Sequence, residues 1–181
     1  MEIRTCPIPG DSALARFRDA GEYTHAEAAK AVIPPGGGVG ARELARSAME
    51  QPSMTPERAF WLVDLWIRMQ GVLLRPLGVK PNTMRSGREQ PLPEQGGRLG
   101  PYEVFEADGH EVFLGDTDKL LDHRMSFIVA GETAFIGVVL RTRNQAGDAY
   151  WNQLRHNQTR ILHESLRRGL TKALEAAGHR A

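Results

Sequence analysis

The C-terminal part of the chain constrains the fold most strongly, because two hairpin patterns there run into one long helical pattern. YEVFEADGHEVFLG alternates apolar and polar residues around Asp108-Gly109, a pair that accepts the positive φ of a tight turn. LDHRMSFIVAGETAFIGVVLRTRN repeats this alternation around Gly131-Glu132. A helical pattern then extends from about residue 148 to residue 177. The order predicts a meander of four antiparallel strands followed by a long terminal helix.

The preceding segments supply helices and leave one element undecided. ARELARSAME, residues 41–50, has a helical pattern, and a second helix is predicted to start at Pro56, with Thr55 as its cap. Residues 22–33 combine helix-favouring alanines with an Ile-Pro-Pro ending that favours an extended chain. We therefore predict an α+β fold, in which an antiparallel sheet meander wraps on a long C-terminal helix with two preceding helices.

The glycine-rich stretch PPGGGVG, residues 34–40, raises the question of a nucleotide site. Gly36, Gly38 and Ala41 fit a loosened dinucleotide fingerprint. Two prolines intervene before these glycines, however, and a helix rather than a strand starts about 20 residues later. We interpret the stretch as a connecting loop, which in a sheet wrapped on a helix could lie near the entrance to a binding site.

Composition restricts the classes of partner. The formal net charge is +1, so no overall field favours nucleic acid or an acidic membrane. Cys6 is the only cysteine, which fits a reducing cytoplasm, and no apolar run approaches the length of a membrane span. We expect residues 1–181 to form a single cytoplasmic domain, with a flexible arm over 1–11 and a long loop or lid over 80–100.

The meander and the last helix resemble a bacterial family catalogued only as a domain of unknown function, number two-eight-six-seven. The resemblance is carried by EVFLGDTDKLLDHRMSF and by VVLRTRNQAGDAYWNQLRHNQTRIL. The helix containing WIRMQGVLLRPLG is similar as well. The matching positions are Gly115, Asp118, Leu121, Asp122, Arg124, Thr142, Asn144, Gly147 and Tyr150 in the meander and last helix, with Arg68 and Gly78 in the earlier one.

This resemblance implies a helix-grip fold of the kind found in START and birch-allergen proteins, which leaves a ligand cavity between sheet and helix. The chain departs from the family pattern at Leu120 and Arg143, where histidines are usual, and around His156. Chemistry that needs those histidines is therefore not implied here. Fold similarity of this kind does not fix function.

The last helix places two amides close to an apolar stripe. Asn157 and Gln158 follow Leu154 by three and four residues, and Ile161 continues the same face. A buried amide is costly unless it is hydrogen-bonded, so these amides either contact a ligand or bond to the sheet. The predicted ligand-binding set is Asn157, Gln158, Met125, Phe127, Tyr150, Leu154, Ile161 and Trp66.

The strand that begins near residue 121 carries the candidate catalytic groups. Alternation puts His123 on the face of Met125 and Phe127, and Asp122 and Arg124 on the opposite face. His123 is the first candidate for moving a proton, because an unperturbed imidazole titrates near neutrality, although a core role is the plain alternative. Asp122 and Arg124 form either an ion-pair network with Arg141 or Arg143, or an acid–base or carboxylate-binding pair.

The sequence supports three functions of different classes. The first is binding of a small apolar or aromatic molecule, with a cofactor-free cyclisation or isomerisation of a biosynthetic intermediate. The second is a carrier or sensor with the same cavity and no reaction, and the third is a protein-interaction module. Histidine and cysteine spacing predicts no metal site and we expect no cofactor, no nucleic-acid partner and no membrane insertion, while a homodimer is compatible with the sequence.

Overall fold

A computed structural model describes residues 1–50 and 92–178 of the chain. Within these ranges a seven-stranded antiparallel sheet packs against a long C-terminal helix, with two shorter helices earlier in the chain. The predicted α+β class and its meander are confirmed. The arrangement is helix-grip-like, since the sheet lies along one side of the terminal helix.

The strands follow one another with short connections in the second half of the chain. Their bounds are β1 Ile3–Cys6, β2 His25–Val32, β3 Arg98–Leu99, β4 Tyr102–Ala107, β5 Glu111–Thr117, β6 Leu121–Ala130 and β7 Thr133–Thr142. The order across the sheet is β1-β2-β7-β6-β5-β4-β3. Both predicted hairpins are present, and the pairing between β4 and β5 shifts register between Val104 and Glu106.

Three helices are described: α1 Ala13–Asp19, α2 Ala41–Met49 and α3 Gln145–Gly178. The predicted helices over 41–50 and near the C-terminus are confirmed, and the undecided segment over 22–33 contains the strand β2 rather than a helix. The helix predicted to start at Pro56, together with Trp66, lies outside the described residues. Most of the 80–100 loop also lies outside them.

One face of the sheet, here called the inner face, is covered by α2 and α3. Phe127, Ile136 and Val112 on this face are almost fully buried against Leu166 and Leu170 of α3. The two helices contact each other closely, since a Cβ added to Gly169 would lie 2.7 Å from the Cβ of Ala48. Close-packed side chains therefore fill the inner face toward the C-terminal half of α3.

The opposite, outer face carries α1, which the sequence did not predict. Leu14 is fully buried there with Phe113 and Val139. The Ser12 hydroxyl accepts from the Ala15 amide at 3.0 Å and so caps α1. The Glu111 carboxylate accepts from the Ala13 amide at 2.8 Å, so a group from a distant strand helps to begin this short helix.

Two segments that the sequence indicates as irregular take part in the packing. The predicted flexible arm over 1–11 contains β1, whose Ile3 pairs with Ala31 of β2. The glycine stretch over 34–40 contacts the far part of α3: a Cβ added to Gly37 would lie 2.8 Å from Leu174. The positive φ of Gly36 and Gly38 shows why glycine is needed in this turn.

No helix within the described ranges combines the length and apolarity needed to cross a bilayer.

Substituting Gly169 with alanine is expected to destabilise the fold. The new methyl group would also lie 3.1 Å from the backbone nitrogen of Ala48, so α2 and α3 would have to move apart. We expect a loss of about 1–3 kcal/mol in the free energy of unfolding, measured by urea denaturation.

The matched control is Gly178→Ala in the same helix, where an added Cβ meets nothing within 4 Å. We expect this change to be neutral or slightly stabilising, because alanine favours helix over glycine. An equal effect at both positions would contradict the close contact between α2 and α3.

Candidate functional site

The inner face is organised as rows of side chains that run across neighbouring strands. The row nearest the start of α3 contains His25, Leu140, His123 and Asp116, which are successive cross-strand partners. Tyr102 of β4 ends this row, and its ring centroid lies 5.6 Å from that of His123. We call this set the polar row; strand spacing of about 4.8 Å gives it a length of roughly 19 Å.

The next two rows become progressively apolar. The second row contains Glu27, Val138, Met125 and Leu114 as cross-strand neighbours, and Glu27 is its one charged member. The third row contains Ala29, Ile136, Phe127 and Val112, all of them buried. The inner face therefore changes from polar to fully apolar within two steps along the strands.

The first turns of α3 lie over the polar row. The Trp151 ring lies 4.8 Å from the ring of His25 between centroids. Tyr150 is close enough to Tyr102 to contribute to the raised pKa of Tyr102, and burial is the main factor that raises the pKa of Tyr150 itself. Leu154 and Gln158 continue this helix face and are half-buried. Sheet and helix thus present aromatic, amide and imidazole groups to the same region.

His123 is surrounded closely enough to change its chemistry. Burial lowers its pKa to about 4, and the positive charge of Arg124 acts in the same direction. Asp116 and Asp122 oppose this shift but do not overcome it. The pKa of His123 therefore lies below that of an unperturbed imidazole, so the side chain is neutral at pH 7 and is a weak base.

Tyr102 is also held neutral. Burial raises its pKa to about 12, and the negative charge of Asp116 contributes to the rise. A neutral phenol and a neutral imidazole can each donate and accept a hydrogen bond. At pH 7 this part of the row offers polar contacts without a titrating group.

Asp122 and Arg124 lie on the outer face, away from His123. The Arg124 Nη1 atom is 2.5 Å from Asp122 Oδ1, and both side chains are at least four-fifths buried. The guanidinium also lies over the rings of Phe105 and Phe17, at 4.8 and 5.1 Å from their centroids. The structure therefore separates the predicted catalytic set into His123 on one face and an ion pair on the other.

Arg141 shares this outer-face arrangement. Its guanidinium lies 4.0 Å from the Phe17 centroid, and Nη2 donates to the Phe17 carbonyl at 2.6 Å. Arg141 also lowers the pKa of Arg124 through charge repulsion, although burial is the larger cause. The two arginines hold α1 against the sheet through one aromatic ring, which is a structural arrangement.

The predicted ligand-binding residues fall into three groups. Met125 is half-buried on the inner face, and four residues of α3 are half-buried as well, namely Tyr150, Leu154, Gln158 and Ile161. Phe127 has no exposed surface and belongs to the closed core, whereas Asn157 is exposed. Trp66 lies outside the described residues.

Sequence reasoning missed His25 and Glu27, which the pairing of β2 with β7 brings to the inner face. His25 Nε2 lies 3.3 Å from Glu27 Oε2, and the Glu27 side chain is only 10% exposed. Alternation along residues 25–32 could have placed both on one face, but the helix–strand ambiguity of that segment concealed it. No three His, Cys, Asp or Glu side chains form a metal-binding group in the part of the chain that the structure describes.

Several residues shared with the resembled family build the junction below the site. Asn144 Oδ1 accepts from the Gly147 amide at 2.9 Å, and Asn144 Nδ2 donates to the Lys119 carbonyl at 2.8 Å. A Cβ added to Gly147 would lie 2.3 Å from the Leu120 carbonyl oxygen. These contacts fix the start of α3 against the β5–β6 loop and thereby set the helix above the polar row.

Replacing His123 with glutamine is expected to reduce the acid sensitivity of the fold. The unfolded chain takes up a proton near pH 6.5, which the folded protein resists until about pH 4, so stability falls as the pH drops through this window. We expect the parent protein to lose about 2–3 kcal/mol more than His123→Gln between pH 7 and pH 4.5. Urea denaturation at both pH values measures this difference.

Met125→Leu is the control for this comparison, because it changes the same strand face without removing a titrating group. It should keep the parental pH dependence. If His123→Gln loses as much stability on acidification as the parent, His123 does not have the depressed pKa described above.

Asp122→Asn is expected to destabilise the fold by about 1–3 kcal/mol, because it leaves the largely buried Arg124 without its carboxylate. Glu2→Gln, which breaks the exposed Glu2–Arg4 ion pair, is the control and should change stability little. Equal unfolding midpoints for the two variants would contradict a structural role for Asp122.

Comparison with known proteins identifies a family but no characterised relative. No curated protein and no solved structure matches the chain. A family model described as a protein of unknown function, DUF2867, matches residues 20–156. This match includes β2, the whole meander and the start of α3, which are the elements that carry the polar row. The chain therefore belongs to the DUF2867 family, as the motifs of its meander and last helix predicted.

Proposed function

We propose that the protein binds a small apolar or aromatic molecule between the inner face of the sheet and the first turns of α3. The observation that carries this proposal is the change in the inner face, from closed apolar packing beside Phe127 to half-buried aromatic and polar groups in the polar row. Ligand sites commonly combine apolar walls with a few polar groups that fix orientation.

The wall residues match this kind of ligand. Met125 supplies a flexible thioether, and Tyr102 and Tyr150 supply aromatic surface with polar ends. Leu154 extends the apolar wall on the helix side. An aromatic molecule placed here would contact rings and thioether while its polar group bonds to His123 or Tyr102.

The protonation states favour binding over proton-transfer chemistry. A general base works best when its pKa lies near the working pH, and the pKa of His123 lies well below neutrality. The pKa of Tyr102 lies well above neutrality. We therefore propose a carrier or sensor rather than an isomerase that relies on His123 for proton transfer.

Filling the proposed site with a larger side chain should weaken binding of a small aromatic probe. Met125→Trp adds an indole to the second row, so we expect the affinity for the neutral fluorescent probe N-phenyl-1-naphthylamine to fall at least about tenfold, a loss of about 1.4 kcal/mol. Val32→Trp is the control, because Val32 is 68% exposed at the end of β2. Fluorescence titration gives both affinities, and native mass spectrometry of protein from its own host tests for a co-purified molecule.

The control variant should bind the probe as the parent does. Equal affinity of Met125→Trp and the parent protein would place the ligand elsewhere. Absence of probe binding to the parent, together with an apo mass from the host, would contradict the proposed function.

A further inference from the structure

We infer that the ligand carries a basic nitrogen, which the Glu27 carboxylate binds as an ammonium group. This inference rests on the proposed function, because it assigns a chemical class to the molecule bound on the inner face. The observations that support it are the position, burial and incomplete hydrogen bonding of Glu27.

Glu27 lies in the second row, where its neighbours across the sheet are Val138 and then Met125. A carboxylate in such apolar surroundings is costly unless a positive charge or several hydrogen-bond donors compensate it. Its side chain keeps 10% of its surface exposed, beside the 28% exposed side chain of His25.

His25 satisfies only part of this requirement. Among the described residues it is the one basic side chain within 4 Å of Glu27, and its Nε2 atom approaches a single carboxylate oxygen at 3.3 Å. An ionised carboxylate can accept about four hydrogen bonds over its two oxygens. Within the described part of the chain, Oε1 accepts no hydrogen bond.

The surroundings of the pair suit an organic cation. The Trp151 ring lies against His25, so an ammonium group near Glu27 would also be close to aromatic surface. Met125 lies two strands across from Glu27 in the same row, and its half-buried side chain would contact the apolar body of the same molecule. Charge at one end and apolar surface beside it define an aromatic or aliphatic amine as the ligand class.

Three probes with the same ring and different head groups test this inference on the parent protein at pH 7. Phenethylamine is protonated, phenethyl alcohol is neutral, and 3-phenylpropanoate is negatively charged. We expect phenethylamine to bind about tenfold more tightly than the alcohol and the carboxylate to bind most weakly, since a charge-assisted hydrogen bond is the stronger one. Isothermal titration calorimetry measures the three dissociation constants.

Glu27→Gln should remove the preference for the amine, so that phenethylamine binds no more tightly than phenethyl alcohol to this variant. Glu22→Gln is the matched control, because Glu22 is an exposed acid near the start of the same strand. It should retain the tenfold preference. The probe series on the parent protein does not depend on the folding of either variant.

The outcomes separate this inference from the proposed function. If the alcohol binds as tightly as the amine, the basic nitrogen is wrong while the binding site stands. If Glu27→Gln keeps the preference for the amine, the assignment of the ammonium group to Glu27 is wrong. If none of the three probes binds and N-phenyl-1-naphthylamine does not bind either, the proposed function fails and the inference fails with it.

Discussion

The packing of α3 along the inner face is the interaction on which the rest of the structure depends. Leu162, Leu166, Leu170 and Ala173 are buried against the sheet in the C-terminal half of the helix. Asn144 fixes the other end through hydrogen bonds to Gly147 and Lys119. With both ends held, the first turns of the helix remain above the polar row without having to pack tightly on it.

This division explains why the two halves of the inner face differ. The half beside Leu166 and Phe127 gains its stability from apolar burial. The half beside Trp151 contains groups that bury poorly, namely imidazole, phenol and carboxylate side chains. A protein that needed only to be stable would have no reason to place them there, and this is why we assign binding to that half.

Much of the fold could be predicted from the sequence, because its signals are local. The two turn pairs and the alternation on either side of them gave both hairpins of the meander. The same alternation correctly separated His123 from Asp122 and Arg124. The elements that were missed depend on distant partners: β1 is a short edge strand that needs β2, and α1 begins with help from Glu111, far along the chain.

The candidate site was less predictable for the same reason. His25 and Glu27 reach the site only through the pairing of β2 with β7. No local sequence signal predicts which strand β2 pairs with. The low pKa of His123 depends on burial that several strands and α3 create together. Asn157 lies one position away from the half-buried Gln158, and on a helix such a step is enough to turn a side chain from the sheet to solvent.

The three rows of the inner face also give the proposed site a fixed depth. Each row is two residues further along the strands, so the distance from the polar row to the closed third row is roughly 13 Å. A molecule seated over Met125 can extend toward the core only until it meets Phe127 and Ile136, which leave no space beyond them. A longer molecule at the proposed site would have to extend past the beginning of α3, so the three rows would limit the length of a ligand as well as its polarity.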